Sequence, residues 1–384
     1  MVEKKKILFI NGHLNVGGVE KSLTDILRHI NYEQYEVELL LLEEIGDYAD
    51  DIPKAVKISL KSLKNTYGSF WRSIRRCYRQ QDWFSLKMRF VFLLMKFFGQ
   101  NKIKLAENLL TGKKYYDVVV GFRPGICTQI AAYAVHAEKK IAWWHHGEFN
   151  VLKDEYGAQL KQCEILVSVS ESCAQMLAAH MPALAHKIVV IPNMIDSDLL
   201  AKKSGTVSPY VDGVTQLLTV GRLSPEKHIE NVIYAAKELK KAGFLFQWHV
   251  VGDGLLYEVL KQQIAQDCVA DRVILEGAKK NPYPYMKNAD LYVHPSYIES
   301  QGITILEAMA LHVPCVVTKS RGPCEFIQNE KNGLLVDQNP QALLDGVKRL
   351  LKDKEFYVKM QTQTVCPLKF SVDSVMKQVY KLFE

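Results

Sequence analysis

From Ile7 onward, short apolar runs alternate with amphipathic stretches almost to the end of the chain, the pattern of parallel strands joined by crossover helices. The apolar runs lie at Ile7–Asn11, Val37–Leu42, Val118–Gly121, Lys140–Trp144, Ile165–Val169 and Ile188–Ile191. They resume at Leu217–Val220, Gln247–Val251, Val273–Glu276, Leu291–Val293 and Pro314–Val317. The fold class is therefore α/β. At 384 residues the chain exceeds one ordinary domain, so two doubly wound, Rossmann-like sheets facing a cleft are expected.

The boundary is expected near Pro192-Asn193, after which Asp196, Ser197, Asp198, Ser204-Gly205 and Asp212-Gly213 interrupt the periodicity. This gives a first domain over 1–193 and a second over 194–370. An amphipathic helix over 371–384 is expected to pack back on the first. Asp196-Ser197-Asp198 has the letters of a metal motif, but its place in a connector reads as a turn or helix cap.

Segment 69–110 breaks the alternation, being helical, basic and aromatic. Between Pro53 and Lys114 there are fifteen Lys or Arg against two acids, Asp82 and Glu107. That segment is +13 in a chain that is +7 overall, so the remainder is −6. The basicity is local and points to a local anionic partner. Its apolar stretches are too short to span a bilayer. A basic aromatic helix can lie on an anionic membrane surface, or it can bury its rings in the domain core and leave its cations solvated. The eight cysteines show no CxxC pair and no metal spacing. With a charged N-terminus that lacks the pattern of a secretory signal, they lead us to expect a reducing cytoplasm.

Three motifs face phosphate chemistry. Gly17-Gly18 closes the turn from the first strand into a helix, where glycines either admit a phosphate to the backbone or merely allow tight packing. Arg222 and Lys227 follow a second-half strand and can clamp a diphosphate, or stand as two solvated cations. Glu299 and Glu307 span a loop that turns into a helix near Thr304. They can accept from sugar and ribose hydroxyls beside a helix N-terminus, or be a capping acid and a surface acid.

Taken together, Gly17-Gly18-Val-Glu20, Gly221-Arg222 with Lys227, Val251-Gly-Asp-Gly254, Glu299-x7-Glu307, Gly322-Pro-Cys-Glu325 and Asn332-Gly-Leu-Leu resemble the retaining glycosyltransferases of family 4, which have the two-domain GT-B fold. The resemblance is strongest over 215–337. It implies that Arg222 and Lys227 hold the diphosphate of a nucleotide-sugar donor, that Glu307 binds the ribose, and that Glu299 lies beside the transferred sugar. It also implies that the amides of Gly302, Ile303 and Thr304 meet the sugar or its phosphate. Those of Gly17 and Gly18 would face the diphosphate from across the cleft. Ile141-Ala-Trp-Trp-His145-His146 resembles the family strand that ends in a sugar-contacting His; the role is placed on His145, with His146 as the alternative. Where the family commonly reads Glu-Gly-Phe-Gly, this chain reads Glu299-Ser300-Gln301-Gly302, and two polar side chains are expected close to the sugar.

The implied reaction is transfer of a hexose or N-acetylhexosamine, from a UDP-sugar by default, to a glycan or lipid-linked saccharide in surface-polysaccharide assembly. No cofactor and no metal are expected. The expected setting is the inner face of the cell membrane, with an anionic lipid surface as partner and no nucleic acid. A GT-B nucleotide-sugar epimerase and a catalytically inactive GT-B binding protein are the alternatives.

Overall fold

Ile7, Leu8, Phe9 and Ile10 are each no more than 2% exposed, as expected of a parallel strand covered on both faces. In the computed structural model, which describes residues 3–146 and 155–384, they form β1 (Lys5–Asn11) of a seven-stranded sheet. The others are β2 (Tyr35–Leu41), β3 (Lys57–Leu60), β4 (Tyr115–Gly121), β5 (His136–Trp144), β6 (Ile165–Ser168) and β7 (Ile188–Val190). The second sheet has β8 (Thr215–Val220), β9 (Phe246–Val251), β10 (Val273–Gly277), β11 (Leu291–His294), β12 (Cys315–Thr318) and β13 (Leu334–Val336).

The sheet orders are β3-β2-β1-β4-β5-β6-β7 and β10-β9-β8-β11-β12-β13. Every pairing within them is parallel. The strand order reverses between β1 and β4 and between β8 and β11, and open parallel sheets bind ligands outside the carboxyl ends of the strands at such a reversal. The motif loops that follow β1, β8 and β11 therefore begin where the topology favours a site.

Two strands, β3 and β13, escape the sequence reading, and both are sheet edges. An edge strand has one neighbour and needs less apolar cover. β3 is largely exposed, with the sequence Lys-Ile-Ser-Leu, and β13 is three residues long.

The chain divides into two units, Met1–Pro192 with Met376–Glu384, and Asn193–Val375. In the second unit, alternate strand residues feed separate cores. Leu217, Leu291 and Val293 enter one cluster with Trp248 and Val347, while Leu218 and Tyr292 enter another with Ile305 and Met309. Period-two alternation thus covers each face of the sheet with helices. In the first unit the end of the helix Val372–Phe383, from Met376 on, sets the Phe383 ring against Phe9 and Tyr35, and Tyr380 stacks on Tyr35 at 5.7 Å.

The basic segment folds as the helices Phe70–Arg79 and Trp83–Phe98. Met88 and Val91 pack into the core with Leu40 and Ile103. Asp82 caps the second helix by accepting from Ser85 N (2.9 Å). Arg76 donates to the carbonyls of Asn65 (2.8 Å) and Tyr67 (2.5 Å), which ties the preceding loop to the first helix. Among the described residues no helix is long and apolar enough to cross a membrane.

Candidate functional site

After Val220 the chain turns through Gly221-Arg222 into a single 3-10 turn, Pro225–Lys227. His228 closes it in the left-handed region (φ 47°) and stacks on Tyr297 at 3.7 Å. The Glu226 carbonyl accepts from Tyr297 N (3.2 Å) and Ser296 Oγ (3.1 Å). These contacts dock the loop after β8 on the loop after β11. The result is an ion pair between Lys227 and Glu299.

His294 Nε2 lies 2.7 Å from the same carboxylate oxygen. Burial alone would raise the Glu299 pKa, but the Lys227 ammonium and His294 outweigh it and hold the carboxyl well below the usual carboxylate range. An ionised carboxylate only accepts, so His294 carries its proton on Nε2. Its Nδ1 is then an acceptor for the Tyr292 hydroxyl (3.2 Å), whose oxygen lies 2.7 Å from Thr304 Oγ1. Tyr292 and His294 are two apart in β11 and share a face. A polar chain therefore runs from Lys227 through Glu299, His294 and Tyr292 to Thr304.

Gly302 begins the helix Ile303–Ala310 with φ 86° and ψ 57°, a left-handed conformation that glycine adopts without strain. Gly302 has no side chain with which to cap this helix, and Ile303 and Thr304 are partly exposed. Uncapped first-turn amides with the helix dipole behind them favour an anion. Glu307, one turn further, is 2% exposed and accepts from Tyr283 Oη (2.9 Å). Arg222 is exposed and has no ion-pair partner among the described residues. Arg222 thus adds a free cation to the loop that carries Lys227.

Gln301 departs from expectation. Its side chain is 3% exposed and turned inward, where its Oε1 accepts from Asn193 N (2.8 Å) and Asn193 Nδ2 (2.6 Å). Of the two polar side chains expected near a sugar, this one is engaged with the start of the second unit. Asp196 is a helix cap, accepting from Leu199 N (2.9 Å).

In the first unit Gly17 precedes the helix Gly18–His29, which also has no cap from the preceding side chain. The buried Glu20 carboxylate folds back over Gly17, where any Cβ would collide with Oε2. Glu20 Oε1 lies 3.7 Å from both His13 Nδ1 and Arg123 Nη1, and Arg123 Nη1 is 3.0 Å from His13 Nε2. An anion at Gly17-Gly18 thus meets an acid from the helix's own first turn, with Arg123 as countercharge. His145 follows β5 with its ring 4.9 Å from Phe122. Burial, with His146 adding to it, pushes its pKa down to about 3, so the ring is neutral near pH 7. His146 is exposed, and its carbonyl accepts from Trp144 Nε1 (2.9 Å).

The sequence reading missed His294, Tyr292, Tyr283, His13 and Arg123. His294 left a signal, as a polar residue that ends an apolar strand just before the Glu299 loop. Tyr283 left none, because only folding brings it to Glu307.

The fold and this site define a two-domain α/β protein of the GT-B class, with a cationic loop and an uncapped helix at one switch point. Residues 207–364 match the family model of the glycosyl transferases, group 1. The chain is 30% identical over 218 residues to the alpha-D-kanosaminyltransferase of Streptomyces kanamyceticus, which covers 55% of each protein. It is 29% identical over 178 residues to the UDP-Gal:alpha-D-GlcNAc-diphosphoundecaprenol alpha-1,3-galactosyltransferase of Escherichia coli, covering 44% of this chain and 46% of that one. The chain thus spans about half the length of these curated relatives. The crystal structure of HepE from Anabaena with UDP and glucose superposes with a TM-score of 0.73 at 18% identity, covering 98% of both chains.

Proposed function

We propose that the chain is a retaining glycosyltransferase that moves a hexose or N-acetylhexosamine from a UDP-sugar to a glycan or lipid-linked saccharide. Its setting would be surface-polysaccharide biosynthesis at the cytoplasmic face of an anionic membrane. The observation that carries this reading is the Lys227–Glu299–His294 cluster beside the uncapped start of helix Ile303–Ala310. Relatives support it: one is named for a UDP-galactose donor and a diphosphoundecaprenol-linked acceptor, and HepE was solved with UDP and glucose.

In this reading a departing diphosphate gathers negative charge, and Arg222, Lys227 and the amides of Gly302, Ile303 and Thr304 take it up without a metal. Glu307, aligned by Tyr283, accepts from the ribose hydroxyls. Glu299 is ionised and committed to Lys227 and His294, which suits holding sugar hydroxyls better than attacking carbon. The leaving diphosphate then acts as base toward the acceptor hydroxyl on the face it departs from. Gly17, Gly18 and His145 are assigned to the diphosphate and the sugar.

Membrane contact is assigned to the helices Phe70–Arg79 and Trp83–Phe98. Trp71, Phe97 and Phe98 are 79%, 69% and 65% exposed, and Arg72, Arg75, Arg79, Lys87 and Lys96 are exposed on the same two helices. Exposed rings among cations suit an anionic lipid interface.

The test is a panel of nucleotide sugars read as nucleotide release, with and without lipid-linked saccharides. The reading expects UDP release from at least one donor, accelerated by acceptor. No release from any UDP-sugar overturns it.

A further inference from the structure

One side chain ties the Glu299 loop to the segment that joins the two units. Asn193 is the first residue of the second unit. Its backbone N and its Nδ2 donate to Gln301 Oε1 at 2.8 and 2.6 Å, and Gln301 Nε2 donates back to the Asn193 carbonyl at 3.2 Å. The two residues are 6% and 3% exposed. Two residues on, Ile195 N donates to the Phe370 carbonyl (2.7 Å) and Ile195 bridges to Ser371. The outgoing segment is thus also joined to the returning one, shortly before Met376 re-enters the first unit.

Lys227 and His294 hold the Glu299 carboxylate at the start of the loop, and the backbone is held as well. Gly322 N donates to the Glu299 carbonyl (3.3 Å), and the Gly322 backbone fits so closely against Ser300 and Gln301 that a Cβ there would collide with both. Glu299 lies two residues before Gln301, and the left-handed Gly302 that opens the helix follows it directly. Loss of the Gln301 amide would leave the Asn193 N–H and carbonyl buried and unpaired, a cost of about 1–3 kcal/mol per group. Water entering the vacated space can pair those groups but leaves the loop without its direct link to the joining segment.

We propose that Gln301 is a positioning residue for the transfer reaction: through Asn193 it fixes the loop Glu299–Gly302 to the segment joining the units, and so governs turnover rather than nucleotide affinity. The proposal rests on the glycosyl-transfer reading. Arg222, Lys227 and Glu307, assigned to the diphosphate and the ribose, lie outside the loop Glu299–Gly302, and of the amides assigned to the diphosphate only that of Gly302 belongs to it. Removing the clasp should therefore cost UDP binding less than it costs turnover, by misplacing Glu299.

The experiment compares the full-length chain with Gln301→Ala, Asn193→Ala, the double alanine variant and Gln301→Glu, using the donor found to be turned over and UDP titrated by calorimetry. Gln301→Ala should lower kcat about tenfold or more while UDP Kd stays within about threefold; Asn193→Ala, which keeps the two bonds made by its backbone, should cost less, and the double variant should be no worse than Gln301→Ala, because that change already removes every bond of the clasp. Gln301→Glu adds a pH readout. Its carboxylate accepts from both Asn193 donors but cannot donate to the Asn193 carbonyl, whereas the protonated acid can. Its kcat relative to wild type should therefore climb as pH falls from about 8 to about 5.5, burial having raised the carboxyl pKa.

A Gln301→Ala kcat within about twofold of wild type, losses that multiply in the double variant, or UDP Kd weakening in step with kcat would each overturn the clasp. A wild-type chain that turns over no nucleotide sugar overturns the transfer reading itself and removes the reaction the clasp would serve. The two failures are read on different proteins.

Discussion

His294 Nε2 lies 2.7 Å from Glu299 Oε1, the oxygen that also meets Lys227. Glu299 is thus held from two sides, and only one of the holding groups is mobile enough to share itself with a phosphate. Lys227 is on a long flexible stem, while His294 is 3% exposed at the end of β11 and fixed by Tyr292. His294→Leu should lower kcat about 10- to 100-fold, the worth of a buried hydrogen bond to a charged group, and His294→Gln, which restores a donor, should recover much of the loss. Steady-state kinetics on the three proteins checks this; equal losses in both variants would assign His294 to packing instead.

Membrane contact has a salt-sensitive signature. Each surface Lys or Arg contributes about 1 kcal/mol toward an anionic bilayer, so replacing Arg72, Arg75 and Arg79 with Gln should weaken binding on the order of 100-fold, three cations' worth. Replacing Trp71, Phe97 and Phe98 with Ser should remove the salt-resistant remainder. Flotation with vesicles rich in phosphatidylglycerol, against neutral ones, measures both. No preference for the anionic vesicles at low salt would contradict the assignment.

His145 makes folding pH-dependent with a definite sign. Its pKa falls from 6.5 to about 3 in the folded state, so between those values the unfolded chain binds a proton that the native one refuses. Its contribution to stability is present above pH 6.5 and is lost as pH falls through that window. Urea unfolding of wild type at pH 7.5 and 5 should show a larger loss than His145→Phe, whose ring cannot titrate. An identical loss in both proteins would show that this ring does not titrate as its burial requires.

The central strands and the motif loops were legible because burial on both faces writes itself as apolar runs and because Gly302, Arg222 and Glu299 lie close to strand ends. The edges β3 and β13 were not, since one neighbour imposes too little patterning. Gln301 was misread for a related reason. A sequence gives a side chain's chemistry but not its direction, and only the fold brings Asn193, 108 positions away, within reach of its amide. The links from Tyr283 to Glu307 and from Arg123 to Glu20 are likewise products of topology, since each joins residues from separate elements. The exposure of Trp71, Phe97 and Phe98 was one of two readings open to a basic aromatic segment. Phe84 and Phe92 pack against the core beside Met88 and Val91, as the other reading expected, so the aromatics of the segment divide between the two.

The most direct test of the account is turnover by Glu299→Ala and Lys227→Ala, each verified as folded by its circular dichroism and by unfolding near the wild-type midpoint. Loss of preorganised charge stabilisation predicts kcat down by about 10²- to 10³-fold in each. Near-normal turnover in both variants would contradict the placement of the donor site at the Lys227–Glu299 pair.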